Sequence, residues 1–295
     1  MSISAQQVKE LRERTGLGMM ECKAALTETN GDMEAAADLL RKRAGAKVEK
    51  KAGRIAADGA IGIHVSPDRK TAAMVEVNCE TDFVAKGEEF ASFGVTAAAR
   101  VASSHPADVD ALYKLPLQDG ASATFSQSRE GLVMRLGENI NVRRFERLTT
   151  DKGHIGSYVH GRKIGVLVVM DGGDEALAKD IAMHVAASRP EYVSKDQVPA
   201  AAVAKEKEIF TEQASSSGKP ADIIEKMVMG RVNKYFNEIT LLGQPFVKDP
   251  DTTVERLLKS KGAVVKGFMR YEVGEGLEKR SDNFAAEVMA TVKGA

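Results

Sequence analysis

The chain predicts an α+β fold: a small N-terminal helical bundle followed by two copies of one sheet-and-helix unit. Three observations carry this. The first 45 residues hold three helical segments punctuated by glycines. A strand–turn–strand pattern recurs about ninety residues apart. A long heptad-like helical stretch interrupts the second copy. At 295 residues the chain is long enough for two cores, and 43% hydrophobic with 28% charged residues is the composition of an ordinary globular protein.

The first helix is announced by Ser4 and Gln7, spaced as a capping box, with Ile3 and Val8 at the flanking apolar positions. It is expected to stop at Thr15, before Gly16 and Gly18. A second helix is expected from Met19 to Asn30, ending at Gly31. Asp32 caps a third that closes near Gly45. Leu11, Leu17, Leu26, Met33, Ala36 and Leu40 provide a shared core. Residues 41–54 follow, with seven basic side chains against Glu49. They read as a solvated linker or exposed helix continuation rather than a phosphate-binding patch, because the whole chain balances 42 basic against 42 acidic residues.

The duplication comes next. Gly59–Val65, Arg69-Lys70 and the apolar run 72–77 match Gly153–Val159, Arg162-Lys163 and the run 166–170. Each copy reads as a β-hairpin with alternating apolar residues. Each is followed by a helix with a related ending, Val101-Ala102-Ser103-Ser104-His105-Pro106 and Val185-Ala186-Ala187-Ser188-Arg189-Pro190. A closing strand is expected over 141–148 in the first and 263–273 in the second. In the second copy, residues 198–217 and 220–240 read as an inserted helical hairpin, a coiled coil, turned by Gly218-Lys219-Pro220. The expected domains are 1–54, the bundle and basic linker; 55–148, the first core subdomain; 149–197 with 241–273, the second; 198–240, the hairpin; and 274–295, a C-terminal module. The last places Phe284, Val288 and Val292 on one face of a terminal helix.

Chemistry is sparse. The five histidines, His64, His105, His154, His160 and His184, share no metal-ligand spacing with each other or with Cys22 and Cys79. There is no phosphate-cradling Gly-Lys-Ser/Thr loop, no nucleophile elbow and no dinucleotide fingerprint. The expectation is therefore a non-enzyme with no catalytic residues, cofactor or metal. With two isolated cysteines, no signal-like N-terminus and no apolar run of about 18 residues, it is expected to be cytoplasmic and free of membrane. The feature that stands out is Thr81-Asp82-Phe83-Val84, directly after an apolar strand. Thr and Asp are favoured caps, and a Phe after a cap folds back into the core or, unpartnered, probes another protein.

On its motifs the chain resembles the bacterial elongation factor Ts family, guanine-nucleotide exchange factors for the GTPase elongation factor Tu. The stretches are Thr15–Lys23 (TGLGMMECK), Glu76–Val84 (EVNCETDFV), Gly137–Asn141 (GENIN), Ile181–Ser188 (IAMHVAAS), Gly243–Val247 (GQPFV) and Gly274–Lys279 (GEGLEK). Leu17 and Glu80 depart slightly from the family pattern, and 107–135 matches weakly. The resemblance implies a ubiquitin-associated-like bundle that contacts the GTPase through Arg12, Met19 and Met20; the alternative reading of these residues leaves at least one of the methionines, with Met20 the candidate, in the bundle core. It implies that Thr81, Asp82, Phe83 and Val84 form the element inserted near the partner's magnesium and nucleotide, and that His160 is a further contact. It also implies that the hairpin is a coiled-coil arm. The partner would be met in its GDP-bound and nucleotide-free forms, and a homodimer or a two-plus-two complex stays open. The competing reading is a ribosome- or RNA-associated structural protein using residues 41–54 and the helical hairpin. The zero net charge counts against sequence-specific nucleic-acid binding.

Overall fold

The computed structural model describes residues 3–216 and 219–277. The expected terminal helix with Phe284, Val288 and Val292 lies outside the described residues, as does Gly218 of the hairpin turn. The described chain divides into two compact units, residues 3–62, 75–146 and 272–277 in one and 63–74 with 147–271 in the other.

In the first unit, α1 (Ala5–Thr15), α2 (Met19–Glu28) and α3 (Met33–Ala52) form the bundle. The Ser4–Gln7 capping box is made in both directions. Leu11, Cys22, Leu26, Ala36 and Leu40 are buried together, with Met33 packed against them. The third helix does not stop near Gly45. Ala44 and Val48 continue its buried stripe to Ala52, so most of the basic stretch is helix rather than linker. Its charges are largely answered: Arg41 pairs with Asp38, Arg43 with Glu28 and Lys47 with Glu21.

Strands β1 (Asp58–Val65) and β2 (Thr71–Cys79) lead to α4 (Asp82–Ala85) and α5 (Glu88–Ser104). Two further helices follow, α6 (Val109–Lys114) and α7 (Phe125–Leu136), and then β3 (Asn141–Thr149). The sheet order is β1-β2-β3. Helix α5 buries Phe90, Phe93, Ala97, Ala98 and Val101, and Phe93 meets Phe125 edge-on at 5.8 Å. The weakly matching 107–135 stretch thus contributes core, and Met134 of α7 also packs against the bundle.

The second unit repeats the plan. Strands β4 (His154–His160) and β5 (Ile164–Asp171) pair antiparallel, from His154 opposite Met170 to His160 opposite Ile164. Helix α8 (Glu175–Ser188) covers them. The inserted hairpin is α9 (Ala200–Ser215) and α10 (Ala221–Ile239), closed by Ala214, Val228 and Val232 with Val203, Phe210, Ile224 and Phe236 around them. A small ribbon of β6 (Pro245–Phe246) and β7 (Asp249–Thr253), then α11 (Val254–Ser260), precede β8 (Val264–Glu272). The sheet order β4-β5-β8 reproduces the first. Val166, Val168, Met170, Ile181, Val185 and Leu258 make its core. Among the described residues no helix is long and apolar enough to cross a membrane.

Candidate functional site: an exposed phenylalanine on a one-turn helix

The end of β2 is where the first unit departs from plain packing. Its strand is buried throughout Ala72–Cys79. The chain then emerges at Glu80, and Thr81 caps α4 by accepting the Val84 N–H. Of that single turn only Ala85 is buried, whereas Phe83 is 84% exposed. The capping half of the sequence expectation therefore holds, with Thr81 as the cap, while the aromatic does not fold back. Asp82 is half-buried and its carboxylate receives Lys86 Nζ at 2.6 Å. That pairing raises the Lys86 pKa above its ordinary value.

A second loop holds this corner. Glu138 Oε2 accepts the backbone N–H groups of Glu80 and Thr81, each at 3.0 Å, and its Oε1 accepts the Thr81 hydroxyl. Glu80 answers by accepting the Asn139 N–H at 2.6 Å. Asn139, itself buried, donates its amide to the carbonyl of Arg54 at 2.8 Å. Lys51 Nζ donates to the Gly137 carbonyl. The end of α3, the 137–139 loop and the Thr81 turn are thereby tied together.

Beneath them lies a buried charge. Glu76 is fully buried on β2 and accepts from Arg144 Nε at 2.6 Å, Arg143 Nη1 at 3.1 Å, Asn78 Nδ2 at 3.1 Å and the Gly274 N–H at 2.8 Å. Burial works to raise its pKa. The Gly274 amide, Arg144 and Asn78 outweigh that, and the carboxyl stays below its usual range.

The other sequence-chosen residues are all on the surface. Arg12 is exposed on α1, and Met19 and Met20 at the start of α2 are 61% and 75% exposed. Neither methionine joins the bundle core, because Leu17, Cys22 and Leu26 already fill it. His160 is exposed at the end of β4 in the second unit, with its Nδ1 3.1 Å from the Tyr158 hydroxyl. His184 is a different case. Buried on α8, its Nδ1 accepts the Val247 N–H at 3.1 Å and its Nε2 lies 2.9 Å from Gln244 Oε1. It is a neutral structural tie, with a pKa lowered by burial. Among the described residues no group of three or more His, Cys, Asp or Glu is placed to hold a metal ion. Glu138 and Glu76 were not singled out by sequence reasoning. The only signal for Glu138 was its place in the stretch Gly137–Asn141.

A family model described as elongation factor TS matches residues 80–275, which begins just after β2 and takes in Thr81–Val84, Glu138 and the strands from β3 to β8. The chain belongs to the elongation factor Ts family. It is 60% identical over 296 residues, covering all of both chains, to the elongation factor Ts of Thioalkalivibrio sulfidiphilus. It is 59% identical to that of Methylococcus capsulatus over 99% of each chain, and 55% identical to that of Alkalilimnicola ehrlichii over the whole of both. As a member of the elongation factor Ts family the chain is a translation elongation factor, with the mixed α+β architecture described above.

Proposed function

We propose that this elongation factor is a guanine-nucleotide exchange factor that binds elongation factor Tu carrying GDP and promotes GDP release, with Phe83 as the wedge. The observation that carries the reading is the exposure of Phe83 on a one-turn helix whose base is anchored by Glu138. A large apolar side chain held out in water at a fixed corner costs hydration, and it regains that cost only in another protein's apolar pocket.

An exchange factor shifts its partner only by binding the nucleotide-free state better than the GDP state. By reciprocity it weakens GDP by the factor with which GDP weakens it. Each tenfold requires about 1.4 kcal/mol of differential contact. Burying one Phe contributes roughly 1.5–3 kcal/mol, so Phe83 supplies one or two decades if its pocket opens only in the nucleotide-free state. Asp82 brings a carboxylate toward the oxygen ligands of the partner's magnesium. Its pairing with Lys86 is an exposed one, which docking can exchange at little cost. Met19 and Met20 suit a contact on the partner's nucleotide domain, since unbranched thioethers adapt to an irregular surface. Arg12 and His160 are assigned as rim contacts, and the α9–α10 hairpin as a second arm. GTP then rebinds and displaces the factor. The pairing of Arg41, Arg43 and Lys47 with acids of the bundle argues against an RNA-binding role for the basic stretch.

The test is release of a fluorescent GDP analogue from purified elongation factor Tu with substoichiometric amounts of this protein. Accelerated release with turnover is expected, and Phe83→Ala should slow it about tenfold or more at equal complex formation. Unchanged release despite a stable complex, or Phe83→Ala matching the wild type, would sink the wedge. Salt-sensitive RNA binding without complex formation would replace the reading altogether.

A further inference from the structure

We infer that Glu138 is the positioning residue of the exchange element: its carboxylate fixes the direction in which Phe83 leaves the surface. This rests on the wedge reading above.

The physical need is clear from what α4 lacks. A helix of one turn is unstable by itself, because nucleation fixes several residues for one hydrogen bond. Packing gives it one buried residue, Ala85. Its orientation must therefore come from polar contacts at its base. Glu138 makes three there, and they converge on adjacent residues. One oxygen takes two successive backbone N–H groups, Glu80 and Thr81, while the other takes the Thr81 hydroxyl. That last bond commits the hydroxyl proton, leaving the Thr81 oxygen to accept from Val84 N–H. The rotamer that caps α4 is thus the one Glu138 selects. Bonds to an ionised acceptor are the stronger kind, and two amides sharing one oxygen leave little angular freedom.

The repeat supplies an independent observation. Aligning the closing strands on Phe145 and Phe268, the fifth residue of β3 and of β8, puts Lys261 where the first copy has Glu138. In that copy the strand-to-helix junction carries no one-turn helix, and the carboxylate is absent with it.

The experiment compares wild type, Glu138→Ala, Glu138→Gln, Phe83→Ala and Phe83→Ala/Glu138→Ala in the full chain. The readouts are the maximal rate of fluorescent-GDP release from elongation factor Tu, the half-saturating concentration of the factor, and amide hydrogen exchange of the free protein. Glu138→Ala is expected to lower the maximal rate about tenfold, with a much smaller change in half-saturation. Exchange at the Glu80 and Thr81 amides should quicken while that of α5 is unchanged. Glu138→Gln keeps an oxygen for both amides but loses the acceptor of the Thr81 hydroxyl, and should recover part of the rate, which also covers the case of Glu138→Ala failing to fold. In the Phe83→Ala background Glu138→Ala should cost nothing further, since it acts through the wedge. The inference is overturned if Glu138→Ala exchanges like wild type while Phe83→Ala is impaired, if the two losses multiply, or if Glu138→Gln is as impaired as Glu138→Ala. If Phe83→Ala itself matches wild type, the wedge reading is what fails.

Discussion

The two sheet units solve one packing problem and differ at one junction. In both, the first strand of the hairpin meets the covering helix at a glycine: an added Cβ at Gly62 would lie 2.3 Å from the Gly94 backbone, and one at Gly156 2.5 Å from the Ala178 Cβ. In both, the helix ends on a non-glycine residue in the left-handed conformation just before a proline, His105 (φ 48°) and Arg189 (φ 50°). The strand-to-helix connection differs. After β5 the chain turns through Gly172 and Gly173, both at positive φ, and Asp174 caps α8 at once. Gly172 lies so close to the Gly262 carbonyl that an added Cβ would sit 2.3 Å away. After β2 the chain instead spends residues 80–87 on a turn that buries almost nothing of itself and displays Phe83. The second copy shows that the fold does not require that turn. What it does require is the glycine contact and the helix behind it.

The largest effects should come from breaking what the copies share. Gly62→Ala and Gly156→Ala each force a helix off its sheet and should destabilise by about 2–4 kcal/mol, read as a fall in the midpoint of chemical denaturation. The copies separate in rescue. Removing the opposing methyl with Ala178→Gly should return part of the Gly156→Ala loss, less about 1 kcal/mol of helix propensity. No such partner exists for Gly62, because Gly94 already lacks a Cβ and the clash is with its backbone.

Next comes a charge present in one copy only. Taking Gly59 and Gly153 as equivalent, Glu76 on β2 corresponds to Val169 on β5. Glu76→Ala removes the buried acceptor shared by Arg143, Arg144 and the Gly274 N–H, and should cost about 3–5 kcal/mol. Because its folded pKa is depressed, the carboxylate contributes stability that is complete above the ordinary glutamate range. That contribution should be lost as pH falls through and below about 4.5, and acid titration of the denaturation midpoint should show the loss shrink in Glu76→Gln.

How far the sequence reached can be judged residue by residue. The hairpins and their repetition were legible because alternation and turn residues are local properties, as were the α1 capping box and the kinship of the two helix endings before Pro106 and Pro190. The extension of α3 past Gly45 was not. A glycine there costs about 1 kcal/mol of helix propensity, and what outweighs it is the burial of Ala44 and Val48. The exposure of Phe83 was equally hidden, since the turn that displays it is anchored by Glu138, 57 residues away from Thr81. The exposure of both methionines depended on which neighbours fill the bundle first. Local chemistry could be read in advance; which side chains tertiary anchors would leave outside could not.

A smaller effect distinguishes the α8 side of the comparison. His184 on α8 stands at the position of Arg100 on α5 within related helix endings. Neutral His184 accepts the Val247 N–H, and burial depresses its pKa. The unfolded chain therefore takes up a proton near the ordinary value of 6.5 while the folded chain does not. Stability should be flat above that pH and should decline as pH falls below it. Arg100 instead pairs with Asp119. Denaturation midpoints of wild type and His184→Gln between pH 5 and 8 check this, and a variant with the same slope as the wild type would remove His184 as its source.

The smallest stability effect should fall on the residue to which most function is assigned. Phe83→Ala removes a side chain that is 84% exposed, so folding buries little of it and its loss leaves no cavity. The midpoint of denaturation should move by no more than about 0.5 kcal/mol in free energy. Phe90→Ala, which empties a buried site on α5 that is 1% exposed, should cost about 3–5 kcal/mol. Two phenylalanines seven positions apart would then report on different things, one on the fold and one on the partner. Should Phe83→Ala prove as destabilising as Phe90→Ala, the turn after β2 would be a structural element of the first copy after all, and the contrast with the Gly172-Gly173 junction would lose its functional meaning.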